Sequence, residues 1–477
     1  MVQKANMTKT NSTLKTPKLW KKLLTSKNLT ATHTNKEVAR SAFHKDYDRV
    51  IFSQPFRQLN QKTQVHPLTQ QLGIHTRLTH SLEVSCIGRS LGMMSAEKLG
   101  NSLPDDISVA DMGVIVQAAC LAHDIGNPPF GHAGEYAIRD WFFKDAQQPF
   151  LAQMTARQQM DLRGFEGNAQ GFRLLTRNEH HPDNGGMRLS CATLGAFMKY
   201  PWLSTPINTV ADEHPLSTQP LSPLTIKKFG CFDQDESTLQ QLAEQLGLLP
   251  SKIGFHRHPL AYLLEAADDI CYALIDLEDG ILLGMLSYEE VEPLLLRLVG
   301  QRLGVPDEVT SNAPTAQKLA ALRGRAMRRL VDKVTNAFEK NQGALLHGDL
   351  EGSLFDHCPS NVKESLNEAK TLARERIFNH PNKVRMEIMA NHCLHTLLDA
   401  FMPLALHHSQ SQSYRPSFEQ HRLLRLLNAY LANYGRSLND NVYHNALCIL
   451  DMITGMNDHE AYELAQQLKG NWHFSNQ

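Results

Sequence analysis

The sequence is short of several things. Its eight cysteines, at positions 86, 120, 191, 231, 271, 358, 393 and 448, include no Cys-x-x-Cys pair, so neither a structural zinc cluster nor a thioredoxin-type centre is indicated. No run of 18 or more apolar residues exists, so a transmembrane helix is not expected. Charged residues are spaced through the N-terminus where a leader would need a continuous apolar stretch, so neither secretion nor membrane insertion is expected. Strand-like alternation is sparse and no internal repeat is visible, which points to an all-α fold. Net charge is nearly absent, at −1. With 42% hydrophobic and 20% charged residues, collagen-like and wholly disordered chains are excluded as well.

The near-neutral total hides a split. Residues 1–40 hold nine Lys and Arg and one Glu, while residues 41–477 hold 39 Lys and Arg against 48 Asp and Glu, so the two parts carry +8 and −9. The first 40 residues read as a disordered basic tail, apart from a short apolar patch around Leu19, Trp20, Leu23 and Leu24. Most cysteines sit in apolar helical contexts, as in Ala118-Ala119-Cys120-Leu121, and read as buried free thiols in a reducing cytoplasm. From about residue 41 the spacing of apolar residues is helical: 77–99, 108–123, 260–284, 288–303, 315–341, 362–378, 383–406, 417–434 and 441–468. Gly126 and Pro128-Pro129 end the second of these sharply. Arg323, Arg325, Arg328, Arg329 and Lys333 fall on one helical segment, as a solvated or intersubunit face or a polyanion site.

The 23 histidines include several set, with Asp, inside apolar helices, where packing does not explain them. These are His80, the pair His123-Asp124 at a helix end, His132, and the run Glu265-Ala-Ala-Asp268-Asp269-Ile-Cys-Tyr272. A buried carboxylate needs a cation, an arginine or water. A divalent ion shared by His123, Asp124 and Asp268 or Asp269 would supply the charge, and a mixed imidazole and carboxylate set suits a transition metal. The alternative is that His80 and His123 are hydrogen-bonded core histidines.

At this point the text of the chain resembles a known family. His80, then His123-Asp124, then Asp268 follow the ordered H…HD…D pattern of the HD phosphohydrolase superfamily. The flanking stretches TRLTHSLEV at 76–84, HDIGNPPFGHAGE at 123–135, FEGNAQGFRLL at 165–175, KYPW at 199–202 and EAADDICYALIDLEDG at 265–280 resemble the dGTP triphosphohydrolase (dGTPase) family. The likeness runs from about residue 46 to the GMNDHEAYEL segment at 455–464.

The resemblance implies a single large helical unit over 41–477, with an HD core at about 75–285 and a C-terminal helical part at about 286–470. It implies cleavage of a deoxynucleoside triphosphate, dGTP above others, at the α-phosphorus into deoxynucleoside and triphosphate. His80, His123, Asp124 and Asp268 would hold one divalent ion, Mg²⁺ or Mn²⁺ first among the candidates, with open positions for water and substrate. His132 and Glu135 would handle protons, three residues apart on one helical face. Asp268, Tyr272 and Asp276 recur every four residues on one face; Tyr272 would pack on the sugar's 2′ carbon, and Asp276 with Gln64 would bond the 3′-hydroxyl. Arg77, Lys199 and Tyr200 would contact phosphates, Asn168 would add a polar contact, and Phe378 and Glu387 would border the nucleotide. Asp269, one residue off that face, reads as a salt-bridge partner. The family also implies a homohexamer, and single-stranded DNA as a partner of some members. Near the C-terminus the family often has an arginine just before an Asp-Tyr pair; this chain has no arginine there and reads Asp451-Met452. Other readings of the H…HD…D set are hydrolysis of a different nucleotide, or a nucleotide-sensing DNA-binding protein.

Overall fold

A computed structural model of the chain describes residues 16–30, 40–64, 75–178, 186–204, 228–300, 305, 307–310, 312–409 and 416–471. Among these residues the secondary structure is helical, with isolated β-bridges and no sheet. No helix among them is long and apolar enough to cross a membrane.

Local chemistry sets the helix starts. Thr76 and Ser108 close capping boxes with Thr79 and Asp111, opening the helices Arg77–Leu99 and Val109–Ala122. Pro259 opens the helix Pro259–Leu282 at its first turn, behind a His258 cap. The first two helices pack closely. At Gly92 a Cβ would stand 2.8 Å from the Met112 carbonyl oxygen and 2.9 Å from the Gly113 Cα, so only glycine permits this approach. The segment expected as one helix over 441–468 is two, Val442–Gly455 and Asp458–Leu468, because Asn457 caps the second through a box with Glu460.

The buried apolar residues form two cores. One runs from Trp20 through the helices Arg77–Leu99, Val109–Ala122 and Pro259–Leu282 to Phe378; the other joins Phe130–Phe165 and Phe229–Phe232 to residues 390–465. The boundary expected near residue 286 therefore falls inside the first core. The turn after His123 passes from one core to the other, since Ile125 is buried in the first and Phe130 in the second.

The basic segment 1–40 is not wholly a tail. Thr16–Leu23 is a helix, with Trp20 fully buried against Phe338 at 6.2 Å between ring centroids. His258 Nε2 is 3.1 Å from the Leu23 carbonyl, and Cys191 N–H donates to the Lys27 carbonyl at 2.7 Å. The apolar residues outweigh the lysines because the lysines of this helix stay at the surface. Residues 1–15 and 31–39 of the expected tail lie outside the described residues.

Removing a fully buried indole costs roughly 3–5 kcal/mol. Trp20→Ala should lower the unfolding free energy in urea by that amount; a loss under about 1 kcal/mol would mean that the helix Thr16–Leu23 does not belong to the core.

Candidate active site

The site is assembled where the start of one helix and the end of another meet the middle of a third. The helix Arg77–Leu99 supplies Arg77 and His80 in its first turn, Val109–Ala122 ends at His123-Asp124, and Pro259–Leu282 contributes Asp268. His80 Nε2 is 3.2 Å and His123 Nε2 3.5 Å from Asp268 Oδ1. Ligand atoms of these three side chains all lie within 4.8 Å of one another.

His123 Nδ1 is 2.7 Å from the Cys120 carbonyl oxygen. A carbonyl can only accept, so this nitrogen carries the proton and Nε2 presents its lone pair to the carboxylates. Asp124 Oδ1 lies 3.7 Å from His123 Nε2 and accepts from Arg77 Nη1 at 2.8 Å and Asn127 Nδ2 at 2.6 Å. Its other oxygen, Oδ2, is buried without a partner. Two imidazoles and a shared carboxylate oxygen converge, with Asp124 beside His123, and a donor set of this kind fits a divalent ion.

The charges agree with that demand. Burial alone would raise Asp124, yet Arg77, His123 and His80 hold it down at about 2. Asp268 is likewise kept well below the usual carboxylate range against its burial, first by Lys199 and then by His123. Lys199 Nζ donates to Asp268 Oδ2 at 2.7 Å. For His123 burial favours the neutral ring, while Asp124 and Asp268 outweigh it and raise the pKa.

Phe130 and Gly131 in the turn after His123 take positive φ angles, 64° and 59°. Gly131 is required twice, since a Cβ there would also lie 2.3 Å from Arg77 Nη2. Phe130, a strained position for a non-glycine residue, donates its N–H to Asp458 Oδ1 at 2.7 Å, while Asp458 Oδ2 accepts from Thr63 N at 3.1 Å and Thr63 Oγ1 at 2.6 Å. Lys62 Nζ donates to the Asn127 and Thr454 carbonyls at 2.8 and 2.6 Å.

His132 opens the next helix, His132–Phe143. Its Nδ1 is 2.8 Å from Glu135 Oε2, and the Glu135 Oε1 accepts from Gly167 N at 2.7 Å. Burial would raise Glu135, but His132 and then Arg139 hold it well below the usual range. The His132 side chain is 49% exposed, so one face of the ring is open to a ligand. Asn168 donates to Glu166, which Arg139 also holds, at 3.1 and 2.7 Å. Tyr200 packs edge-on to Trp202 at 5.6 Å.

Further along the helix Pro259–Leu282, Tyr272 stacks on Phe378 at 5.6 Å and 22°. Phe378 closes a π-helical turn, Arg374–Phe378, of the kind that interrupts helices at functional places. Lys383 lies 5.3 Å over the Phe378 ring and pairs with Glu387 at 3.1 Å, so both residues are linked to Tyr272. Asp276 is buried, with Oδ2 unpartnered, and Gln64 Oε1 is also buried without a partner. Asp269 turns away to pair with Lys370 at 2.7 Å.

Several participants escape sequence reasoning. Asn127, three residues past Asp124, occupies one of that carboxylate's lone pairs. Lys228 is a cation whose charge acts on Tyr200, Glu166 and Glu135; nothing in its local sequence signals this. Asp451 is buried between Arg173, Gln170 and Arg436, so an arginine 15 residues earlier reaches the carboxylate that lacks one close by in sequence.

An all-helical chain in which His80, His123 and Asp268 converge, with Asp124 next to His123, is an HD-domain phosphohydrolase, and the HD domain family model matches residues 77–189. A deoxyguanosinetriphosphate triphosphohydrolase-like protein of Pseudomonas aeruginosa is 46% identical, over 94% of this chain and 98% of its own. One of the same name from Synechocystis is 38% identical, over 94% and 99%. A deoxyguanosinetriphosphate triphosphohydrolase of an Enterobacter species is 31% identical, over 76% and 77%. The chain belongs to this deoxyguanosinetriphosphate triphosphohydrolase-like family.

The two adjacent carboxylates should separate on substitution. Asp268→Ala should lose bound Mn²⁺ after dialysis, read by elemental analysis, and all measurable turnover; Asp269→Ala should keep the metal. The reverse result would move the metal site to the neighbouring carboxylate.

Proposed function

We propose that the protein is a metal-dependent deoxynucleoside triphosphate triphosphohydrolase, with dGTP the favoured substrate, serving control of the deoxynucleotide pool in the cytoplasm. The observation that carries this reading is the single helix face on which Asp268, Tyr272 and Asp276 follow one another, from ion to sugar. An enzyme for a nucleoside monophosphate, a cyclic nucleotide or a guanosine polyphosphate needs the ion but not the rest of that face.

His80, His123, Asp124 and Asp268 would hold one Mg²⁺ or Mn²⁺, which when bound would polarise the phosphoryl group and acidify water. Arg77 and Lys199 offer a guanidinium fork and a point charge to a triphosphate of about −4, with Tyr200 beside Lys199. Water adds to the α-phosphorus, its bond to the 5′ oxygen breaks, and a proton must reach that oxygen as the deoxynucleoside leaves. His132 is suited to move it, since Glu135 binds its Nδ1 and orients the ring. Tyr272, braced by Phe378, closes on the 2′ carbon and leaves no room for a ribose hydroxyl. Asp276, with its buried Oδ2 lacking a partner, accepts the hydrogen of the 3′-hydroxyl, and the Gln64 side chain bonds the same group through its amide. Asn168, Phe378 and Glu387 complete the surroundings of the nucleotide. Assembly as a homohexamer and contact with single-stranded DNA rest on the family resemblance alone.

Purified protein with Mn²⁺ should convert dGTP into deoxyguanosine and triphosphate, resolved by chromatography; pyrophosphate or orthophosphate as the first product would overturn the reading. Tyr272→Ala should narrow the preference for dGTP over GTP by roughly tenfold or more in kcat/KM, the scale of a lost steric gate. Unchanged selectivity would remove the gate from Tyr272.

A further inference from the structure

The helix Pro259–Leu282 ends in an acidic turn that the reaction itself does not use in full. Asp276, Glu278 and Asp279 lie within four residues of one another and are 2%, 9% and 1% exposed. Three buried carboxylates on one turn require compensating cations. Glu278 has one in Arg323, with which it forms a close ion pair. Asp279 has another in His75: His75 Nδ1 is 2.7 Å from Asp279 Oδ1, and its backbone N–H is 3.5 Å from Oδ2.

The second ring nitrogen of His75 is also engaged, with Nε2 3.3 Å from Glu83 Oε1 on the helix Arg77–Leu99. A carboxylate at each nitrogen makes the ring a doubly protonated imidazolium. Its pKa is raised to about 10, first by the hydrogen bond to Asp279 and then by that to Glu83. Asp276 is the carboxylate of the turn without a bonded cation among the described residues, and its Oδ2 has no partner. Burial first, then Asp279 and Asp268, push its pKa well above the usual range, while His75 and Lys383 pull against them. Asp276 and Asp279 stand three residues apart on one helix, so an Asp279 without a donor would draw on the carboxyl of Asp276, whereas bound to His75 it has a donor of its own.

His75 holds position as well as charge. It directly precedes Thr76, the cap of the helix that carries Arg77 and His80. The same side chain thus fixes the metal and phosphate side of one helix against the sugar side of another.

We propose that His75 is a positioning residue for sugar recognition: bound between Asp279 and Glu83, it keeps Asp276 available as the hydrogen-bond acceptor for the 3′-hydroxyl of the deoxynucleotide. This rests on the reading of Asp276 given above. It adds a specificity determinant that never touches the substrate and acts through one carboxylate on the next.

The test compares dGTP with 2′,3′-dideoxy-GTP, which lacks the hydroxyl, in wild type, His75→Leu and His75→Asn, all with Mn²⁺. Wild type should favour dGTP. His75→Leu should raise KM for dGTP and cut the preference over the dideoxy substrate by roughly tenfold or more, with bound metal unchanged. Asparagine places an amide where Nδ1 stands, donates to Asp279, and should restore most of the preference. If His75→Leu loses both substrates by the same factor and His75→Asn does no better, the residue is merely structural and the inference falls. If wild type releases no triphosphate from dGTP, the proposed function falls with it, and the two failures are told apart by the wild-type lane alone.

Discussion

The buried ion pair between Arg77 and Asp124 is the constraint on which the site depends. It joins the first turn of one helix to the residue just past the cap of another, with both partners almost fully out of water. Breaking such a pair leaves an uncompensated buried charge, at a cost of several kcal/mol. The pairing also does something more selective. By taking Oδ1 of Asp124 together with Asn127, it leaves Oδ2 buried without a hydrogen-bond donor. The same guanidinium lies over Gly131, so Asp124, Arg77 and the shape of the turn are one arrangement.

Around that pair the chain solves an electrostatic problem in steps along a single helix. Asp268 is paired with Lys199, Asp269 with Lys370, Glu278 with Arg323 and Asp279 with His75. Each carboxylate that has a cation of its own is fixed in place. Asp276 is left with an unpartnered oxygen, and at such positions a ligand group is the natural partner. The pattern of pairing thus sets Asp276 apart from its neighbours on the helix, which residue type and spacing alone do not.

Much of the fold was legible because helices announce themselves locally. The 3.6-residue spacing, the Thr76 and Ser108 boxes and Pro259 are all readable within a few residues. His80, His123 and Asp268, which lie together in the structure, stood out in the sequence because ionisable residues in apolar helices call for a partner, and the H…HD…D order of the family resemblance added Asp124 to them. What stayed hidden depends on contacts between distant segments. Trp20 looked like an isolated apolar patch in a basic tail until Phe338 was found against it. The break at Asn457 was invisible to periodicity because both halves keep the same apolar spacing. Which oxygen of Asp124 is free, and which cation serves Asp279, are questions of side-chain geometry that no spacing encodes.

Asp458 has a consequence in time as well as in space. The strained turn at Phe130 and Gly131 carries the chain from His123 to His132, yet the carboxylate that holds the Phe130 amide and Thr63 enters the chain more than 300 residues after the turn. During synthesis every residue of the ion site is out of the ribosome well before its clasp. Closing loops of that length is entropically slow and comes late in folding. The order of events is then built into the topology: the turn beside the ion can settle only when the last helices dock, so a chain interrupted short of Asp458 carries the ligands without the turn that orders them.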